Sequence, residues 1–80
     1  MTAATLSEIE AWYGEGESKG ASHMIIACDS FDYEDYAIFV MPGSNPRDHM
    51  PSNGDKVMEC YSFALGWESQ SKVWRAQNWE

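Results

Sequence analysis

Positive charge is scarce in this chain: five Lys and Arg stand against thirteen Asp and Glu, a formal net charge of −8. Phosphate backbones are repelled by such a balance, so direct nucleic-acid binding is disfavoured and a basic protein surface is the natural partner. Cysteine is scarce too. Two Cys are too few for a disulfide framework. Cys28 and Cys60 are expected as reduced thiols on apolar stretches, although spacing also permits a single bridge between them. No run reaches the roughly 20 apolar residues of a membrane helix. Met1–Ala11 has neither the basic start nor the apolar segment of a secretory leader. A cytoplasmic protein without a membrane partner is therefore expected. There is no internal repeat and no low-complexity tract.

The 80 residues suffice for one domain, 1–80, which at this size buries only about 60% of its unfolded surface. What is plentiful is aromatic surface. Four Trp, four Tyr and three Phe, at roughly 150–250 Å² each, let a short chain build a core without covalent staples. The acids are uneven. Residues 1–35 hold Glu8, Glu10, Glu15, Glu17, Asp29, Asp32, Glu34 and Asp35 against Lys19 alone, a net −7, whereas residues 36–80 come to −1.

Thr5-Leu6-Ser7-Glu8 reads as a capping box, and Lys19-Gly20 as a helix stop. A first helix is expected from about Thr5 to somewhere between Tyr13 and Lys19. His23–Cys28 and Tyr36–Met41 are short, apolar and strand-like, joined by the acidic segment Asp29–Asp35 as a hairpin covered on both faces. Met41–Gly54 carries all three Pro and reads as a long surface loop. Val57, Met58, Tyr61, Ala64 and Leu65 fall at i, i+3, i+4, i+7 spacing, which predicts a final helix from Asp55, capped by Asp55 or Asn53, to about Gln77. The expected class is α+β: a small α-β-β-α domain with an antiparallel hairpin packed by two helices. A two-stranded ribbon leaves two open edges. A homodimer merging two hairpins is one solution, and a monomer whose 42–54 loop shields an edge is the other.

No cluster satisfies a catalytic or metal motif. An EF-hand loop needs Gly at its sixth position and Glu at its twelfth, and the run from Asp29 has Glu34 at the sixth. His23, Cys28 and His49 lack the short spacing of zinc ligands. No phosphate-binding glycine loop or nucleophile elbow occurs. No enzyme activity and no cofactor or metal are expected. The residues that stand out for contact are the carboxylates Asp29, Asp32, Glu34 and Asp35, and Trp67, Trp74 and Trp79 among polar neighbours near Lys72 and Arg75. A second reading is a small-ligand or metal-binding module built on His23, Asp29, Asp32 and Asp35.

Gly20-Ala21-Ser22-His23-Met24-Ile25-Ile26-Ala27-Cys28-Asp29-Ser30-Phe31-Asp32-Tyr33-Glu34-Asp35-Tyr36, with Val57-Met58-Glu59-Cys60-Tyr61 further on, resembles the core of a group of short proteins encoded by tailed bacteriophages and prophages. The proline-rich 42–54 segment and the Trp-rich end depart from that pattern. The resemblance implies a bacterial host cytoplasm. It also implies a small acidic protein that binds a host protein and blocks or redirects it, such as a CRISPR effector, another defence nuclease, a polymerase or a replication factor.

Overall fold

The structure is a computed structural model that describes residues 4–51 and 53–80. Met1–Ala3 and Ser52, the latter part of the expected 42–54 loop, lie outside the described residues. The first helix, α1, spans Leu6–Lys19. Thr5 caps it: its hydroxyl accepts from the Glu8 amide, while the Glu8 side chain accepts from the Thr5 amide. Gly20, in the left-handed region at φ 77°, ends it with amide bonds back to the last turn. Ile9 and Tyr13 on the inner face are buried. Gly16 is buried as well, under Phe63 and Phe39, and a Cβ there would meet Phe63 Cζ at 2.5 Å and Phe39 Cδ1 at 2.8 Å.

Three strands follow, β1 at His23–Cys28, β2 at Asp35–Val40 and β3 at Lys56–Ser62, in the spatial order β2-β1-β3. Both pairings are antiparallel, with Ile25 opposite Ile38 on one side and Cys60 on the other. The α+β class and the hairpin therefore stand. The long final helix does not. Lys56–Ser62 is a strand, and helix α2 is confined to Trp67–Ser71. A bulge explains the misreading. Ala27 faces Val57 while its neighbour Ile26 faces Glu59, so Met58 is an extra residue in the ladder. The bulge shifts the phase of β3. Val57 and Cys60 then share one face, Met58 and Tyr61 the other, a three-residue spacing that imitates a helix.

Each face of the sheet is covered. On one, Ile9 and Tyr13 of α1 pack with Met24, Ile26 and Tyr61, and Trp67 of α2 joins them. The Tyr13 ring stacks on Phe63 at 4.3 Å and lies 5.4 Å from the Trp67 ring. On the other face Ile25, Val40 and Cys60 lie under Ile38, Val57 and Trp79. Trp79 is in turn capped by the Arg47 guanidinium at 5.4 Å. Arg47 belongs to a 3-10 turn, Pro46–His49, that packs against β2 and whose Pro46 is buried. No helix among the described residues is long and apolar enough to cross a membrane.

The outer edge of β3 is closed by the chain itself. The Cys60 amide donates to the Ala76 carbonyl at 2.8 Å, and the Asn78 amide to the Cys60 carbonyl at 2.9 Å. Gln70, 2% exposed, grips Ser62 on both sides: its Oε1 accepts from the Ser62 amide and its Nε2 donates to the Ser62 carbonyl, each at 2.7 Å. The remaining capacity of that amide is spent on the Gly66 carbonyl and the Asn78 side chain. All four bonds a glutamine can make are thus made.

Candidate functional site

The bend between β1 and β2 is wound by its own aspartates. Asp29 Oδ1 accepts from the Phe31 amide at 2.7 Å and the Asp32 amide at 3.3 Å, and Asp32 Oδ1 accepts from the Glu34 amide at 3.1 Å. Such side-chain-to-backbone bonds are how Asp organises turns. Backbone bonds from Tyr33 to Asp29 and from Asp29 to Glu34 close the loop, with Tyr33 in the left-handed region at φ 61°. The winding leaves Phe31 92% and Tyr33 56% exposed.

Asp55, just ahead of β3, ties this bend to the rest of the sheet. Its Oδ1 accepts from the Ser30 amide at 2.9 Å and its Oδ2 from the Tyr36 hydroxyl at 2.5 Å. The Tyr36 hydroxyl first, then the Ser30 amide, hold the Asp55 carboxyl below its ordinary range. Reciprocally, that bond pushes the Tyr36 phenol up to about 12. Asp35 Oδ2 accepts from the Ala4 amide at 3.0 Å.

The outcome is an open concavity of about 390 Å³ lined by the carboxylates of Asp29, Asp32, Glu34, Asp35 and Asp55 together with Tyr36 and Asn53. Among the described residues the ion pairs are Lys19–Glu15 and Lys72–Glu68, both helical i,i+4 pairs, and none engages these carboxylates. Such a surface offers hydrogen-bond acceptors and negative potential. It suits a guanidinium or an ammonium group. It offers no activated nucleophile: burial first, and then Asp35 and Asp29, push the neighbouring Cys28 thiol up, away from the thiolate. Cys60, on the other face, is pushed up to about 12 by burial. Both thiols are free.

The four carboxylates expected at the contact site, Asp29, Asp32, Glu34 and Asp35, do converge, and Asp55, expected as a helix cap, joins them. The grouping of His23 with Asp29, Asp32 and Asp35 fails. His23 opens β1 and Asp29 follows its far end, roughly 20 Å away at the usual rise of a strand. The His23 ring is engaged elsewhere, Nε2 donating to the Glu80 carbonyl at 2.8 Å with Nδ1 2.9 Å from Ser22 Oγ. No group of three His, Cys, Asp or Glu among the described residues could hold a metal ion. The tryptophans divide. The Trp67 indole packs in the core 5.5 Å from the Tyr61 ring, and Trp79 covers the second face with Nε1 donating to Gln77. Trp74 alone of the three is exposed, at 83%, with the Arg75 guanidinium 5.0 Å over its ring. Phe31 and Tyr33 were not among the expected contact residues. Two aromatics alternating with acids between strands, where no core remains to take them, are the signal that marks them.

Fold and site together define a small α+β domain with an acidic, aromatic-bearing end. Comparison with family models, curated proteins and solved structures finds no match.

Proposed function

We propose that this chain is a non-enzymatic interaction protein that engages a basic surface on a host protein through the bend at residues 29–35. The partner class that fits is a nucleic-acid-processing or defence factor of the bacterial cytoplasm, as the phage-type resemblance of Gly20–Tyr36 implies. An acidic surface set into a cationic channel competes there with phosphate, and inhibition is the consequence. One observation carries the reading: five carboxylates line one concavity without an intramolecular Lys or Arg, on a turn that also holds a bare phenylalanine. Desolvated aromatic anchors inside a charged rim are a common composition of protein contacts. Trp74 is a secondary contact. The small-ligand alternative is not carried forward as a four-residue site, because His23 lies at the other end of β1 from its three aspartates.

The test is capture of a host protein from infected or lysogenic lysate by wild type and by two variants, Asp32→Lys/Glu34→Lys and Phe31→Ala. Wild type should retain a basic protein at low salt and release it at high salt. Both variants should lose it while their circular dichroism is unchanged. Retention by the charge-reversed variant would dispose of the proposal.

A further inference from the structure

The outer edge of β2 contrasts with the closed edge of β3. The Asp29 amide bonds the Glu34 carbonyl and the Ser22 amide bonds the Val40 carbonyl. Alternation along an antiparallel ladder then turns Tyr36, Ile38 and Val40 toward β1 and leaves the backbone groups of Asp35, Ala37 and Phe39 facing outward. Among the described residues, no backbone bond is made to any of those three from outside the hairpin. The side chains of the same three lie on the α1 face, opposite Cys28, Ile26 and Met24.

We propose that this edge is a self-pairing surface: two copies join β2 to β2 antiparallel about a twofold axis at Ala37, making one continuous six-stranded sheet. With the β3 edge covered from Met58 to Ser62, such an assembly closes at two copies. Centring on Ala37 is the twofold register in which all three outward residues pair, Asp35 of each copy standing opposite Phe39 of the other. Charge supports that register. The Lys19 ammonium, paired on its own helix with the exposed Glu15 at 2.9 Å, lies 4.9 Å over the Phe39 ring. Each copy thus sets a cation above the position where the Asp35 carboxylate of the other arrives with the oxygen that the Ala4 amide leaves free. A parallel arrangement would instead put Asp35 beside Asp35. Ala37 at the axis is small enough for close approach.

The inference does not rest on the contact proposed for the bend, although Asp35 belongs to both surfaces. Sedimentation equilibrium on the full chain should show twice the 9.1 kDa protomer. Ala37→Pro removes an amide that has no partner among the described residues, a substitution an edge strand tolerates. It deletes the central rung and should weaken association by about 100-fold or more. Lys19→Glu, and separately Asp35→Lys, should each weaken it roughly tenfold, because a twofold axis counts every exposed pair twice. The two combined should restore it. Circular dichroism shows whether the proline variant folds; if it does not, the charge exchange decides. A monomer at every concentration would overturn the proposal. So would a dimer indifferent to both the proline and the charge exchange, or a monomer that takes up an extended segment of another protein at this edge.

Discussion

The two outer strands of this sheet are finished in opposite ways. At β3 the outward groups from Met58 to Ser62 are served: Gln77 Nε2 donates to the Met58 carbonyl at 3.1 Å, backbone from residues 76 and 78 brackets Cys60, and the Gln70 amide brackets Ser62. At β2 the outward backbone groups of Asp35, Ala37 and Phe39 meet no such cover among the described residues. The contrast shows that a side-chain amide can replace a strand. Gln70 presents an acceptor and a donor at the spacing of a peptide unit, and it does so from a five-residue helix that has little stability of its own. A small chain thereby completes one edge of its sheet without making a fourth strand.

Removing Gln70 is the most damaging way to break this contrast. Gln70→Ala leaves the Ser62 amide without its partner in a buried site and weakens the hold on its carbonyl, which keeps the Tyr13 hydroxyl at 3.1 Å and the Leu65 amide at 3.3 Å. A loss of about 2–5 kcal/mol is expected from urea unfolding, since each orphaned buried group costs about 1–3 kcal/mol. In hydrogen exchange of the dissociated protomer at high dilution, the Ser62 amide should then speed up toward the rate of the Ala37 amide, whereas in the wild-type protomer Ser62 should be the far slower of the two.

A smaller effect is expected at the bond that ties the outer strands together, Tyr36 of β2 to Asp55 ahead of β3. Tyr36→Phe should lower stability near neutral pH and flatten its pH dependence. The sign follows from the two shifts. Asp55 is depressed in the folded state, so its contribution is present above the ordinary carboxylate range and fades as pH falls through its lowered value. Tyr36 is raised from 10.0 to about 12, so its contribution is complete below 10 and fades as pH climbs through 12. Unfolding midpoints across pH should differ between wild type and Tyr36→Phe inside that window and converge outside it.

The smallest effect is expected at Trp74, outside both edges and 83% exposed. Trp74→Ala should change stability by no more than about 0.5 kcal/mol in the same urea experiment.

Much of the first half was legible in the sequence because its signals are local. The Thr5–Glu8 capping box and the two apolar runs place the start of α1 and both β1 and β2 within a residue of where they stand, whereas the end of α1, expected between Tyr13 and Lys19, falls at the far limit, next to the Gly20 stop. The second half was not, for a definite reason. With Met58 bulged, the periodicity of β3 reads as three rather than two, and Gly66, which lies inside the helix expected from Asp55 to Gln77, is in fact the residue before α2. The acidic cluster was visible as composition. Its completion by Asp55 was not, since that depends on the β3 register bringing residues 25 positions apart to Ser30. Burial of Trp67 and Trp79 depends likewise on strand pairing and on the path of the last residues, which spacing along one helix could not supply.

The acidic bend sits at one end of β2, whereas the backbone that is uncovered among the described residues runs along its side, and the two meet at Asp35. Two copies joined along that side would carry their bends at opposite ends. Such a pair is bivalent by construction: it cannot clasp a single small target from both sides, but it can bridge two, and a repeated or oligomeric target would be held with an avidity that neither bend has alone.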